Sequence, residues 1–288
     1  MHPPRFLLVI ALHFAPLMSV AAPTSSGYAP VNALHLYYEI HGPAAATEPP
    51  LVLLHGGGDT IETSFEHVIA PLARTRRVIA FEQQGYGRTA DIVERPFTFE
   101  QSADDTAALL DHLKIERADL CGFSNGGTIA LQVAIRHPQR VRKLVPISTL
   151  VFRHGAPAAL WEWMQNAQLE NMPQELQDAY RKVAPHPENL RLFHDKAAKR
   201  MREFKDIPVD LLRAIYAPTL VVCGDRDVVL PEHAIELFRL LPHAQVVLLP
   251  NTDHGNIMRQ PEVLVPLIER FLAEPSPEND SRNERRAH

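Results

Sequence analysis

Short, wholly apolar segments that end near glycine recur along this chain, and they constrain its fold more than any other feature. Residues 51–54 (LVLL) and 78–81 (VIAF) are four apolar residues in a row, and each run reaches a glycine within a few positions. Continuous apolar runs of this length are typical of strands that are buried on both faces, as in a parallel sheet. Further strands are predicted at 34–40, 118–121, 144–147, 220–223 and 246–249.

Segments with a helical spacing of apolar residues separate these strands. They cover residues 62–74, 100–113, 125–137, 231–241 and 261–273. Strands that alternate with helices indicate βαβ units, so the predicted fold class is α/β with a mostly parallel sheet. The alternation stops between about 150 and 215, where no strand pattern occurs. We expect that stretch to be a helical insertion above the sheet.

The first 21 residues have the pattern of an export signal. Arg5 precedes an apolar run over residues 6–18, and small residues lead up to Ala21. This pattern predicts cleavage after Ala21 and a secreted or periplasmic protein. The run is shorter than the roughly 20 residues that a membrane span needs.

The rest of the chain divides into a body and a tail. Residues 22–273 form the predicted globular domain, and residues 274–288 are polar and charged, which predicts disorder. The chain has 29 Lys+Arg against 34 Asp+Glu and no long basic run, so nucleic acid is not the expected partner. Cys121 and Cys223 lack the CxxC spacing of zinc or redox sites. No metal or organic cofactor is indicated, and a small molecule is the expected partner.

Ser124 lies at the centre of a G-x-S-x-G motif, Gly122-Phe123-Ser124-Asn125-Gly126, between a predicted strand and a predicted helix. In this context the motif predicts a nucleophile elbow, a sharp turn that exposes the serine hydroxyl. Glycine is needed on both sides because larger side chains would collide across the turn. The alternative is a tight turn whose serine has no chemical role.

The segment His55-Gly56-Gly57-Gly58 follows the strand at 51–54. With an elbow serine, an oxyanion hole uses the backbone N–H of the next residue, Asn125, and a second N–H from this loop. The spacing favours Gly57 as the second donor, with Gly58 as the next choice. His55 is expected to brace the loop. A plain glycine loop is the alternative.

Two further polar segments follow strand ends. Asp225 and Asp227 come after the strand at 220–223, and His254 comes after the strand at 246–249. The carboxyl ends of parallel strands are where such sheets place their sites. The order Ser124, Asp227, His254 is therefore interpreted as a nucleophile, acid and base, with Asp225 as a rival acid. Asp253 is adjacent to the histidine in sequence and cannot easily face its ring.

These motifs resemble those of the α/β-hydrolase superfamily over roughly residues 28–273. The similar segments are LVLLHGGG (51–58), RVIAFEQQGYGRT (77–89), GFSNGG (122–127), APTLVVCGDRDVVLPEHA (217–234) and TDHG (252–255). The resemblance implies an eight-stranded sheet with a helical cap at about 150–215, and it assigns the acid role to Asp227. Relatives usually have D-x-R-G-x-G-x-S where this chain has Glu82, Gln83 and Gln84 before Gly85, a departure in a structural segment.

The predicted function is a serine hydrolase that cleaves a small or medium carboxylic ester or lactone through an acyl-enzyme. A C–C bond hydrolase, a small-peptide peptidase and a perhydrolase use the same triad and stay open. A hydrolase-like receptor with little turnover is a different class. Dehalogenases and epoxide hydrolases of this fold carry aspartate where this chain has serine, so they are disfavoured. Apolar residues expected to line the pocket are Phe152, Leu160, Trp161 and Met164.

The strand order that the family implies also separates the two cysteines. The strand at 144–147 should lie between theirs, which places the two Cα atoms about 10 Å apart. A disulfide needs Cα atoms within about 7 Å. Cys121 and Cys223 are therefore predicted to be free thiols.

Overall fold

The computed structural model describes residues 22–275, and eight strands in this part of the chain form one sheet. They are Ser25–Val31 (β1), Leu34–His41 (β2), Leu51–Leu54 (β3), Val78–Phe81 (β4), Ala118–Phe123 (β5), Val141–Ile147 (β6), Thr219–Gly224 (β7) and Ala244–Leu249 (β8). The predicted export signal, residues 1–21, and most of the predicted tail lie outside the described residues.

Ten α-helices accompany the sheet within the same described range. They are Ile61–Phe65 (α1), Ile69–Leu72 (α2), Phe99–His112 (α3), Asn125–Arg136 (α4), Ala158–Gln165 (α5), Gln174–Val183 (α6), Leu190–Arg202 (α7), Val209–Arg213 (α8), Pro231–Leu240 (α9) and Pro261–Ala273 (α10). α9 and α10 both begin with proline, whose fixed φ suits the first helical position. Across residues 22–275, no helix has the length and hydropathy needed to cross a membrane.

The strand order is β1-β2-β4-β3-β5-β6-β7-β8. β1 and β2 form an antiparallel hairpin and β2 pairs antiparallel with β4, whereas all later pairs are parallel. This confirms the predicted eight-stranded, mostly parallel sheet. Every residue of β3 and β4 is buried, which explains why their sequences are continuous apolar runs rather than alternating ones.

Helices cover both faces of the sheet. One apolar cluster includes residues of α3, α4, α8 and α9, and the other includes residues of α1, α2 and α10. Cys223 belongs to the first cluster and Cys121 to the second, so the two thiols lie on opposite faces. β6 lies between their strands, as predicted, and both cysteines are buried and free.

The predicted helix at 62–74 is instead two short helices, α1 and α2. Pro71 gives the physical reason. In one continuous helix its missing N–H would remove a hydrogen bond and its ring would collide with the carbonyl of His67. As the third residue of α2, Pro71 lies in a first turn, where a backbone N–H has no helical partner anyway.

The segment between β6 and β7 carries α5, α6, α7 and α8 and contains no strand in the described structure. It is the helical insertion that the sequence predicted, and we call it the cap. Arg259 connects the cap to the core by donating to Glu175 of α6 at 2.8 Å. The cap covers the carboxyl ends of the central strands, where the candidate site lies.

Candidate active site

Ser124 joins β5 to α4 in a strained turn. Its backbone has φ 53° and ψ −120°, a conformation that residues other than glycine rarely adopt. The two flanking glycines permit this close approach. A Cβ on Gly122 would collide with the backbone of Gly126, and a Cβ on Gly126 would collide with the carbonyl of Leu54. The predicted elbow geometry is therefore present.

His254 lies beside this serine in the loop after β8. Its Nε2 is 3.0 Å from the Oγ of Ser124, and its Nδ1 is 2.8 Å from Oδ1 of Asp227. An ionised carboxylate only accepts hydrogen bonds, so Nδ1 carries the proton. Nε2 is then free to accept the serine proton. The structure thus brings together the three residues that the sequence ordered as nucleophile, acid and base.

A fourth side chain holds the acid in place. Ser148, just after β6, donates to Oδ2 of Asp227 at 2.5 Å, and the Val229 N–H donates to Oδ1 at 3.0 Å. Burial would raise the pKa of Asp227, but the His254, Ser148 and Val229 contacts outweigh it and keep this pKa below its usual range.

Ser148 is a functional residue that was not predicted from the sequence. Its backbone is strained, with φ 51°, and it lies at the end of the strand next to the strand that precedes Asp227. A serine directly after the predicted strand at 144–147 was the available signal. The strand order needed to read that signal comes only with the fold.

The other two aspartates have structural partners. Oδ1 of Asp225 accepts from the Thr252 N–H at 3.0 Å, which ties the Asp227 loop to the His254 loop. Oδ1 of Asp253 accepts from the N–H groups of Gly255 and Asn256 at 2.9 and 3.0 Å. Neither carboxylate contacts the His254 ring in the described structure.

The glycine loop after β3 lies against Asn125. A Cβ on Gly57 would collide with the Asn125 side chain, and both residues line the same cavity as Ser124. Within residues 22–275, the backbone N–H groups of Gly57 and Asn125 have no acceptor. Gly58 differs, because a Cβ there would face Leu176 and Met172 of the cap rather than Asn125. The geometry therefore favours Gly57 over Gly58 as the second oxyanion donor.

His55 braces this loop, as expected. Its Nδ1 donates to the Gly56 carbonyl at 2.8 Å, so its Nε2 is the acceptor for the Gln83 N–H at 3.1 Å. Burial lowers the pKa of His55 to about 4, although the Gly56 bond opposes the shift. The imidazole therefore stays neutral near pH 7 and keeps both bonds.

The cavity above Ser124 has a volume of about 360 Å³. Its walls come from α5, α6 and α7 of the cap, from the first residue of α4, Asn125, and from the loops that carry Val228 and His254. Leu160 and Met164 line it, as predicted. The prediction for Phe152 and Trp161 was wrong, because both are buried in an apolar core cluster and neither lines the cavity. Trp161 donates its indole N–H to the Arg153 carbonyl, so its polar atom is satisfied inside the protein.

None of the residues that line this cavity is Asp, Glu, Lys or Arg, and its two histidines are His194 and His254. The apolar members include Leu150, Trp163, Met172, Leu176, Phe193 and Met201. An apolar lining lowers the local dielectric constant, which strengthens electrostatic interactions inside the cavity.

Among residues 22–275, three side chains lie close enough together to hold a metal ion, namely His154, His233 and Glu236. His233 argues against this use. Its Nε2 accepts from the Val151 N–H at 3.0 Å, so the proton of the neutral ring is on Nδ1, which faces Glu236 at 3.5 Å. A protonated nitrogen cannot bind a metal, which leaves two ligands.

The comparison with known families agrees with this geometry. The model of the α/β-hydrolase fold family matches residues 49–204, and the chain belongs to that family. The solved enol-lactonase of Burkholderia xenovorans LB400 superposes with a TM-score of 0.69 at 24% identity, over 86% of this chain and 100% of that chain. At this identity the likeness establishes the fold.

Two curated relatives are more similar in sequence. The chain is 33% identical over 253 residues to the dihydrolipoyllysine-residue acetyltransferase component of the acetoin cleaving system of Pseudomonas putida, over 78% of this chain. It spans only 62% of that protein. It is 29% identical over 249 residues to the 2-hydroxymuconate semialdehyde hydrolase of Pseudomonas sp. strain CF600, over 78% of this chain and 87% of that protein.

Proposed function

We propose that this protein is a serine hydrolase that cleaves a neutral carboxylic ester or lactone through an acyl-enzyme. The observation that carries the proposal is the continuous hydrogen-bond chain Ser124–His254–Asp227, which ends in an apolar cavity beside two unpaired backbone N–H groups. A nucleophile, a base held by an acid, and oxyanion donors are the parts that acyl transfer requires.

In the proposed reaction, the Oγ of Ser124 attacks the substrate carbonyl while Nε2 of His254 takes the serine proton. The oxyanion that forms accepts from the N–H groups of Gly57 and Asn125. His254 then protonates the leaving alcohol, and the carbon–oxygen bond breaks to give the acyl-enzyme and the free alcohol. Water attacks the acyl group with His254 as base, which releases the acid and restores Ser124.

The lining of the cavity supports a neutral substrate. A carboxylate or ammonium group placed there would lose its hydration without gaining an opposite charge, which is costly. A volume of about 360 Å³ holds roughly a dozen water-sized groups at about 30 Å³ each, which suits a medium-sized molecule. One side chain of the cap, His194, adds a polar contact. Its Nδ1 lies 3.1 Å from the Asp195 carboxylate, which leaves Nε2 to accept from a substrate hydroxyl.

C–C bond hydrolysis is the second candidate, because the chain is 29% identical to a 2-hydroxymuconate semialdehyde hydrolase. The substrate in that name is a carboxylate, and the uncharged cavity wall of this chain favours the ester over it.

The test is a substrate panel on the purified protein: p-nitrophenyl esters of increasing acyl length, a neutral lactone, an anilide and a dienoate C–C substrate, each with Ser124→Ala as control. We expect turnover of the neutral esters, an initial burst of p-nitrophenol, and loss of turnover to background in the variant, where loss of a triad nucleophile costs about 10⁶ in kcat. A fluorophosphonate should label Ser124. A wild-type protein that neither reacts with the probe nor cleaves any ester would refute the proposal.

We also propose that the protein acts outside the cytoplasm. The support is the signal-like segment 1–21 of the sequence. When the full chain is expressed in a bacterium, mass spectrometry of the mature protein should find Ala22 at the N-terminus. Soluble protein that keeps Met1 would contradict this proposal.

A further inference from the structure

Arg200, on the cap helix α7, is a buried cation without an acidic partner. The residue is only 5% exposed, and no carboxylate of the described chain lies within ion-pair distance of it. Its Nη2 donates to the Tyr86 hydroxyl at 2.7 Å, and its Nη1 lies 3.4 Å from Oε1 of Gln83. Its Nε has no partner. Burial of an unpaired charge is unfavourable, so packing alone does not explain an arginine here.

Both partners of Arg200 hold the glycine loop that carries the candidate oxyanion donor. Gln83 donates its backbone N–H to Nε2 of His55 at 3.1 Å and its side-chain amide to the His55 carbonyl at 3.2 Å. His55 in turn donates to the carbonyl of Gly56. Gln83 therefore fixes the first half of the loop, immediately before Gly57.

Tyr86 fixes the second half. Its ring packs on His55 with centroids 4.8 Å apart, and its hydroxyl oxygen accepts from the Arg200 guanidinium. The Gly58 backbone lies close enough to this phenol to lower its pKa against the larger, opposite effect of burial. The phenol is 1% exposed. Both side chains that Arg200 contacts therefore hold His55, and Tyr86 also lies beside Gly58, on the other side of Gly57.

We propose that Arg200 is a positioning residue that couples the docked cap to the oxyanion hole. The inference rests on the proposed function. When the cap is closed over the site, the guanidinium orients Gln83 and Tyr86, and these hold Gly57 so that its N–H meets the oxyanion. When the cap lifts, the hydroxyl of Tyr86 and the amide of Gln83 lose this shared donor and the loop is free to relax.

The shape of arginine suits this task. A guanidinium is planar, donates in two directions at once and packs against aromatic rings, whereas a lysine ammonium is a single point charge. The Arg200 guanidinium lies 5.6 Å from the ring centroid of Tyr86 and 5.0 Å from that of Phe99. Lysine at this position should keep the charge and lose the simultaneous contact with both acceptors.

The experiment compares wild type, Arg200→Lys, Arg200→Met and Tyr86→Phe with one neutral p-nitrophenyl ester. We expect kcat to fall by about 10- to 100-fold in each variant, less than the 10²–10³ that loss of a whole oxyanion donor costs. KM should change by less than about threefold, because substrate binding is not the interaction that is lost. In the double variant Arg200→Met with Tyr86→Phe, the loss should be much smaller than the product of the two single losses, because the Arg200–Tyr86 contact that Tyr86→Phe removes is already absent in Arg200→Met.

A boronic acid inhibitor separates positioning from a general loss of structure. Its tetrahedral adduct with Ser124 places an oxygen in the oxyanion hole, so its inhibition constant should rise by the same factor as kcat/KM falls. Inhibition by the product alcohol should not change. Lys199→Met is the matched control, because Lys199 is an exposed cation beside Arg200 on the same helix, and it should behave as wild type.

Wild-type kcat and boronate affinity in both Arg200→Met and Tyr86→Phe would overturn the coupling, even if the variants melted at lower temperature. Should Arg200→Met fail to fold, Tyr86→Phe and Arg200→Lys decide the question by the same two measurements. A wild-type protein without ester turnover would instead refute the proposed function, so the two failures are distinguishable.

Discussion

Asp227→Asn removes the charge of the candidate acid while it keeps the shape of the side chain. Oδ1 of Asp227 accepts from both His254 Nδ1 and the Val229 N–H. Because a backbone N–H can only donate, the asparagine oxygen should occupy the Oδ1 position, where it still accepts the His254 proton. The amide nitrogen then faces Ser148, whose hydroxyl can turn to accept from it. We therefore expect the variant to keep the imidazole tautomer.

The predicted loss is then electrostatic. His254 becomes a cation during acyl transfer, and the asparagine cannot stabilise it with an opposite charge. Two unit charges about 4 Å apart attract by about 4 kcal/mol at an effective dielectric constant of about 20. At about 1.4 kcal/mol per factor of ten, kcat should fall by about 10³. A wrong tautomer in addition would bring the loss to about 10⁴.

Steady-state kinetics with one ester substrate measures this, and Asp225→Asn is the matched control. It is the same chemical change two residues away, on a carboxylate that contacts the Thr252 N–H rather than His254. We expect less than about a tenfold effect there. A kcat for Asp227→Asn within tenfold of wild type would refute the assignment of the acid, and a larger loss in Asp225→Asn would transfer that role to Asp225.

Four further results are expected. Ser148→Ala should lower kcat by about 10- to 100-fold, because a hydrogen bond to a charged group contributes about 1.5–3 kcal/mol. The folded protein holds the pKa of Asp227 below its usual value. Urea unfolding measures the difference in the free energy of unfolding between wild type and Ser148→Ala. This difference should therefore be largest at pH 7 and shrink as the pH falls below about 4, and a difference that does not change at low pH would contradict the expectation. His194→Phe should lower kcat/KM for hydroxyl-bearing esters relative to plain esters, and an equal effect on both would exclude a hydrogen bond to the hydroxyl. Thiol titration of the denatured, unreduced protein should find two thiols, and finding none would contradict the strand order that separates Cys121 from Cys223.

Much of the fold follows from local sequence. The segments at 51–54 and 78–81 are strands with the predicted ends, because a strand buried on both faces must be apolar throughout. The strand at 118–121 extends to Phe123 and the strand at 144–147 begins at Val141, since hydrogen bonds with neighbouring strands lengthen them beyond their apolar runs. The helix predicted at 62–74 was wrong, because Pro71 prevents one continuous helix there despite the helical spacing of the apolar residues.

Some residues of the candidate site could be predicted from the sequence, and others could be assigned only from the fold. The glycines around Ser124 and the order Ser124, Asp227, His254 are properties of the chain, because each residue follows a strand and parallel strands share one carboxyl edge. The choice between Asp225 and Asp227 required the fold, since two carboxylates in one loop differ only in which neighbour each can reach. The same holds for Ser148, for Trp161 in the core rather than the cavity wall, and for Arg200. Asp227 lies 79 residues from Ser148 along the chain, and the adjacency of β6 and β7 brings them together. Gln83 and Tyr86 lie more than 100 residues from Arg200, and only the packing of the cap on the sheet brings them within hydrogen-bond distance.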